Sequence, residues 1–236
     1  MISVTVLTKD NERTIRRCLE SVQNFSEVIV LDSGSTDKTL DIAQTFPNVK
    51  IVQTPFIGFG PLHNLAAQKA THDWILSLDA DEVFQAALGQ DLDPTCIYSF
   101  PFHNYFNGKW IKWCGWYPDR HVRLYNKTAT RFSDAQVHEK ILQGSLTEIK
   151  FSTPILHYSY ETIDDFLRKM QNYSTLFCEQ NNGKHSSLFK ALAHSFWAFF
   201  KSYVLKRGFM GGREGFIISQ YNAHTAYYKY LKLALS

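Results

Sequence analysis

The feature that most constrains this chain is an alternation in its first eighty residues. Strand-like apolar runs at 2–7, 28–31, 49–52 and 74–78 are separated by stretches of helical spacing at 14–22, 37–45 and 62–70. Ile15, Leu19 and Val22 fall on one helical face. The run Val28-Ile29-Val30-Leu31 has no polar side chain to offer to water, the mark of a strand covered on both faces. Strands alternating with helices predict an α/β fold built on a parallel sheet with helical crossovers. Ligands of such sheets bind beyond the carboxyl ends of the strands. Three of those ends are polar here: Thr8-Lys9-Asp10-Asn11-Glu12, Asp32-Ser33 and Asp79-Ala80-Asp81-Glu82.

Two carboxylates at Asp79 and Asp81, at the end of a buried strand, repel each other and resist desolvation unless something positive joins them. A divalent cation, Mg²⁺ or Mn²⁺, satisfies both with hard oxygen ligands and also binds a diphosphate leaving group. The competing reading is a solvated turn with capping aspartates. Asp32 has two readings as well: an acceptor for the imide N–H of uracil, or the pivot of an Asx-turn.

The rest of the chain changes character. Residues 96–155 are rich in aromatics, with strand-like pieces at 98–102, 110–116, 121–125 and 140–142. They predict antiparallel ribbon and loops facing a substrate, with the aromatic stretch 110–117 shaping an acceptor pocket. A helix is expected over 162–179. Residues 184–236 hold eight Lys and Arg against one acid, Glu214, amid many aromatics. Basic, aromatic helices suit a membrane interface, and the same composition suits an oligomer contact. Lys190, His194 and Lys201 interrupt the apolar run, which argues against a spanning helix. The expected organisation is therefore 1–95 for the donor, 96–183 for the acceptor within one domain, and a helical tail at 184–236. A chain of 236 residues with net charge +3 is no nucleic-acid glove. Four scattered cysteines without CxxC spacing read as reduced packing residues. Residues 1–7 read as a strand rather than a signal segment.

Val30–Thr39 (VLDSGSTDKT), Gly58–Ala66 (GFGPLHNLA) and Leu76–Glu82 (LSLDADE) resemble, in order and spacing, the signature of family 2 glycosyltransferases. The later segments GWYPDRHVRLY (115–125), VHEK (137–140), LHYSY (156–160) and KRGFMGGREGFI (206–217) resemble the subgroup that adds β-1,4-linked glucose to lipopolysaccharide cores. The resemblance implies the GT-A fold, a Rossmann-like nucleotide-diphospho-sugar transferase architecture, here with a C-terminal amphipathic helical extension. It implies an inverting, metal-dependent transfer of a hexose, glucose from UDP-glucose, to a lipid-linked core oligosaccharide. Thr8 and Glu12 would line the nucleoside pocket with Asp32 and Ser33. Asp79 would face the ribose and metal, and Asp81 would ligate the metal. His63 departs from the family, which commonly carries Lys or Arg there to help the donor phosphates. Glu139 is the favoured general base, with Asp119 and Asp134 as rivals. His157 would complete the metal shell, with His138 the competing ligand, and Arg120 and Arg123 are phosphate candidates. The expected location is cytoplasmic, at the inner face of the cytoplasmic membrane.

Two other classes are weaker. Nucleotidyltransferases usually carry a Gly-rich basic loop after the first strand, where this chain has Thr8-Lys9-Asp10-Asn11-Glu12. A non-catalytic carbohydrate- or membrane-binding relative would have no need of intact Asp32, Asp79, Asp81 and Glu139.

Overall fold

The computed structural model describes residues 1–89, 91–135, 139–181 and 183–235. In chain order the elements are β1 (Ile2–Thr8), α1 (Ile15–Ser21), β2 (Val28–Asp32), α2 (Thr39–Ala43), β3 (Val49–Gln53), α3 (Phe59–Lys69), β4 (Trp74–Asp79), β5 (Glu82–Val83), β6 (Cys96–Phe106), β7 (Lys109–Trp110), β8 (Arg120–Asn126), β9 (Thr147–Lys150), β10 (Ile155–Tyr160), α4 (Ile163–Gln180), α5 (Leu188–Phe200) and α6 (Gly212–Leu235). The strands form one sheet in the order β3-β2-β1-β4-β8-β6-β10-β5, with β7 and β9 paired to β6. The chain divides into two compact units, Met1–Phe102 with Arg120–His157, and His103–Asp119 with Tyr158–Ser236.

The first unit is the α/β body. β3, β2, β1 and β4 run parallel, as the alternating pattern predicts, and β8 then joins β4 antiparallel. Side chains alternate across a strand. Val28, Val30, Val4, Val6, Leu76 and Leu78 therefore meet Ile15 and Leu19 of α1 on one face. Ile29 and Ile75 meet Ala67, Ala70, Tyr125 and Phe132 on the other. Each such Val, Leu or Ile contributes roughly 1.5–3 kcal/mol when fully buried. Register brings three strand ends together: Thr8 lies opposite Asp32, and Leu7 opposite Asp79.

The second unit is mostly helical. Thr162 and Asp165 form a reciprocal capping box at the start of α4. A π-helical turn (Lys201–Leu205) and a 3₁₀ turn (Gly208–Gly211) connect α5 to α6. Gly208 and Gly215 touch so closely that a Cβ on Gly215 would lie 1.9 Å from the Gly208 carbonyl oxygen. Phe106, Phe166 and Ile218 centre this unit's core. No helix among the described residues is long and apolar enough to cross a membrane.

Three expectations differ from this structure. The strand expected at 110–116 is only β7, because the backbone turns to positive φ at Cys114 (61°) and Gly115 (83°). The strand expected at 140–142 is a single bridge between Phe132 and Ile141. The unit boundaries also fall elsewhere than at 95/96 and 183/184. β8 hydrogen-bonds β4, which ties much of the middle segment to the first unit, while α4 packs on α6 and so joins the tail.

Candidate active site

The site residues of the first unit gather where β1, β2 and β4 end. The turns there are welded by backbone bonds: Ser33 N–H donates to the Thr8 carbonyl at 3.0 Å, and Ala80 N–H to the Leu7 carbonyl at 3.1 Å. The β1 and β2 loops then zip together. Asp10 N–H donates to Ser35 Oγ (2.9 Å), and Asp10 Oδ1 accepts from Thr36 N–H (2.8 Å). Glu12 N–H donates to Asp37 (3.0 Å), while the Glu12 carboxylate accepts from Lys38 N–H (3.1 Å). Glu12 thus holds the neighbouring loop. Thr8 is buried and donates to Asn11. Asp32 is fully buried and accepts from Gly34 N–H (3.1 Å), Ser35 N–H (3.1 Å) and Ser35 Oγ (2.5 Å). Of its two sequence readings, the turn pivot describes these bonds. Ser33 Oγ donates to the Thr8 carbonyl at 3.3 Å.

The turn after β4 carries the acidic cluster. Arg123 of β8, almost entirely buried, donates to Asp79 at 2.9 Å and also to Glu82. Burial opposes ionisation of Asp79, but the Arg123 guanidinium holds its pKa below the usual carboxylate range. Glu82 is fully buried, and burial pushes it up to about 8 although Arg123 opposes the shift. Asp81 faces His157 of β10, with Oδ1 at 3.5 Å from Nε2. Burial alone would lower the His157 pKa, yet Asp81 beside it raises the value above the ordinary imidazole range. An oxygen donor and an imidazole side by side suit a hard or borderline cation. Among the described residues no group of three or more His, Cys, Asp or Glu is arranged to hold a metal ion, and Asp79 is engaged by Arg123.

α3 holds a different device. Gly60 N–H donates to the Ala135 carbonyl, and a Cβ on Gly60 would lie 1.9 Å from the Ser133 carbonyl oxygen. Asn64 grips the Phe132 backbone twice, donating to its carbonyl (3.0 Å) and accepting from its N–H (2.9 Å). His63 stacks on the Phe132 ring at 4.2 Å. Its Nδ1 lies 3.0 Å from Ser77 Oγ, and its Nε2 lies 3.9 Å from Glu139. The motif GFGPLHNLA therefore clamps the segment that leads to Glu139.

Several expected roles move on this geometry. His63 is 1% exposed, so it sits inside the unit, and it faces Glu139. Burial holds it neutral, with a pKa lowered to about 4. Arg120 spends its guanidinium on the Ser99 and Phe151 carbonyls, at 2.9 and 3.0 Å. Arg123 belongs to the carboxylate cluster. Asp134 pairs with Arg131 at the surface. Asp119 lies in the second unit and accepts from Asn104 at 2.9 Å. His138 falls outside the described residues. Glu82 and Asn64 were not singled out in the sequence. Asn64 had a legible signal in its motif, whereas Glu82 looked like one more acid of a turn.

Comparison with known proteins adds the decisive finding. The family model for glycosyl transferase family 2 matches residues 3–90, which hold β1 to β4 and the Asp79-x-Asp81 turn. Residues 3–90 belong to glycosyl transferase family 2. An uncharacterized glycosyltransferase of Rickettsia typhi is 29% identical to this chain over 98% of it and 86% of that protein. The lipopolysaccharide core biosynthesis glycosyltransferase LpsC of Rhizobium meliloti is 24% identical over 96% of this chain and 89% of its own. Among solved structures, S. aureus TarS 1-349 in complex with UDP is 15% identical over 96% of this chain and 90% of that one, with a TM-score of 0.44. The family-matched part is the expected parallel α/β body, and the strand-end residues described above fall in or beside it.

Proposed function

We propose that this glycosyltransferase moves a hexose, glucose from UDP-glucose, onto a lipid-linked lipopolysaccharide or lipooligosaccharide core acceptor at the cytoplasmic face of the inner membrane. The observation that carries the reading is the register that sets Thr8, Asp32 and Asp79 at adjacent strand ends, with Asp81 and His157 beside them. The likeness to LpsC along almost the whole chain supports the choice of acceptor. Asp81 and His157 are the residues to hold a divalent cation, Mg²⁺ or Mn²⁺, with Asp79 behind them. When bound, such an ion neutralises the charge that develops on the departing diphosphate. Glu139 is the base: it takes the proton of the acceptor hydroxyl as that oxygen attacks the anomeric carbon and the bond to the diphosphate breaks with inversion. His63 and Asn64 support that role, because they act on the segment leading to Glu139.

Thermal unfolding with UDP, UDP-glucose, GDP and ADP, each with and without Mn²⁺, tests the donor class. A ligand that binds only the folded state raises the midpoint by mass action. The expected result is a metal-dependent rise with uridine nucleotides that is lost in Asp81→Ala, while the unliganded midpoint hardly moves. No rise with any nucleotide at saturation would sink the donor reading.

A further inference from the structure

α5 exposes the wrong face for a helix in water. Its buried edge is marked by Ala191, which is fully buried. Leu188, Phe189, Leu192 and Phe196 are all exposed, Phe189 at 82% and Phe196 at 72%. At about 100° per residue these four fall within an arc of about 100°, and Trp197 lies about 80° beyond its edge, toward Lys190. An arc of that width is what a surface helix normally turns toward a core. Lys190 and Lys201 lie on a different side of the same helical wheel, and Lys190 reaches the Tyr230 ring of α6 at 5.4 Å. The exposed apolar surface resumes after α5: Val204, Leu205, Phe209 and Met210 stand out around Lys206 and Arg207.

We propose that this apolar arc of α5, with the Val204–Met210 turn, inserts into the headgroup layer of an anionic bilayer. The inference rests on the membrane-borne acceptor proposed above and names the surface that meets the membrane. Three observations select this occupant. No helix of the described residues can span, so burial in the interface is the form of membrane contact that an amphipathic helix of this kind allows. The charge is complementary. Residues 184–236 carry eight Lys and Arg, and their one acid, Glu214, is buried against Lys109 and Asn107. A second copy of the chain is the poorer partner, because a two-fold contact sets the same patch against itself and would bring Lys206 and Arg207 near their own counterparts.

The test is sedimentation of the full chain with vesicles of phosphatidylcholine, alone or mixed with phosphatidylglycerol. Wild type should bind the mixed vesicles. The Phe189→Ser/Phe196→Ser variant should lose that binding by about tenfold or more, at unchanged helical circular dichroism. Lys206→Glu/Arg207→Glu should lose the preference for the anionic lipid. Wild type that ignores mixed vesicles, or a double Ser variant that binds as wild type does, overturns the inference. So does a wild-type dimer in light scattering that the Ser variant converts to monomer, which would assign the face to a second copy. The UDP-dependent rise in midpoint is read on the same samples. A rise without vesicle binding refutes the surface and leaves the donor reading intact. Vesicle binding without a rise does the reverse.

Discussion

His63 illustrates how one residue can be chemically conspicuous and still be a supporting part. Its neutral ring lies between Ser77 Oγ and Glu139 and is stacked on Phe132. Burial lowers its pKa to about 4 from an ordinary value of 6.5. The unfolded chain therefore takes up a proton on His63 as pH falls through 6.5, and the folded chain does not until about 4. The stabilisation is complete above about 6.5 and is lost as pH falls from there toward 4, a change on the order of 3 kcal/mol. His63→Asn should flatten the pH dependence of urea unfolding in that window and lower turnover if Glu139 is the base. An unchanged slope would mean that the ring is not buried in solution. The residue was legible as part of a motif, but its role was not. The clue lay in its position, since His63, Ala66 and Ala67 share the buried side of α3. Arg123 gave less warning: its partners Asp79 and Glu82 are 44 and 41 residues away, and no local pattern announces such a pair.

At the scale of elements, the central parallel strands β1, β2 and β4 were readable because their side chains are mostly buried on both faces and leave nearly unbroken apolar runs. Residues 132–135 were not readable as a strand or a helix because they are held from outside, by α3. That dependence makes a prediction. Gly60→Ala places a Cβ 1.9 Å from a backbone carbonyl oxygen, which no side-chain rotation relieves. Displacing the 131–135 backbone should cost about 2 kcal/mol or more. Asn64→Ala leaves the Phe132 N–H and carbonyl without their partners, at a cost of about 1–3 kcal/mol. Both variants should lose turnover well beyond their loss of stability, because they shift the segment that leads to Glu139. Nucleotide-induced stabilisation should survive in both, since the β1, β2 and β4 ends are untouched. If either variant abolished the response to UDP and kept turnover, the assignment of α3 to the acceptor chemistry would be wrong.

Across the whole molecule, each unit has a buried carboxylate outside the strand-end cluster that ties distant segments together. Glu27 serves the first unit. Burial works against its ionisation, yet Lys50 (2.8 Å), Ser3 (2.5 Å) and the N–H and hydroxyl of Thr71 (2.7 Å each) hold its pKa at about 2. Glu214 serves the second, where Lys109 at 2.9 Å, Asn107 at 3.0 Å and Arg213 hold it at about 2 as well. Glu27 did not stand out in the sequence and Glu214 stood out only as the one acid of a basic tail, because a carboxylate's burial depends on what the fold wraps around it. The unit boundaries were illegible for a similar reason, since contacts between distant segments decide them. Both folded-state values lie below the ordinary 4.5, so each contribution is complete above about 4.5 and is lost as pH falls toward 2. The full shift corresponds to about 3 kcal/mol per site, and water around the exposed Lys50 and Lys109 reduces it to about 2. Acid titration of unfolding, followed between pH 6 and about pH 2, should therefore show stability falling steeply below 4.5. Glu27→Gln should remove part of that slope and also lower stability at neutral pH, because Lys50 loses its charge partner. Glu214→Gln should do the same through Lys109 and Arg213. If stability stayed level down to pH 3 in the wild type, neither carboxylate could be held as its hydrogen bonds indicate.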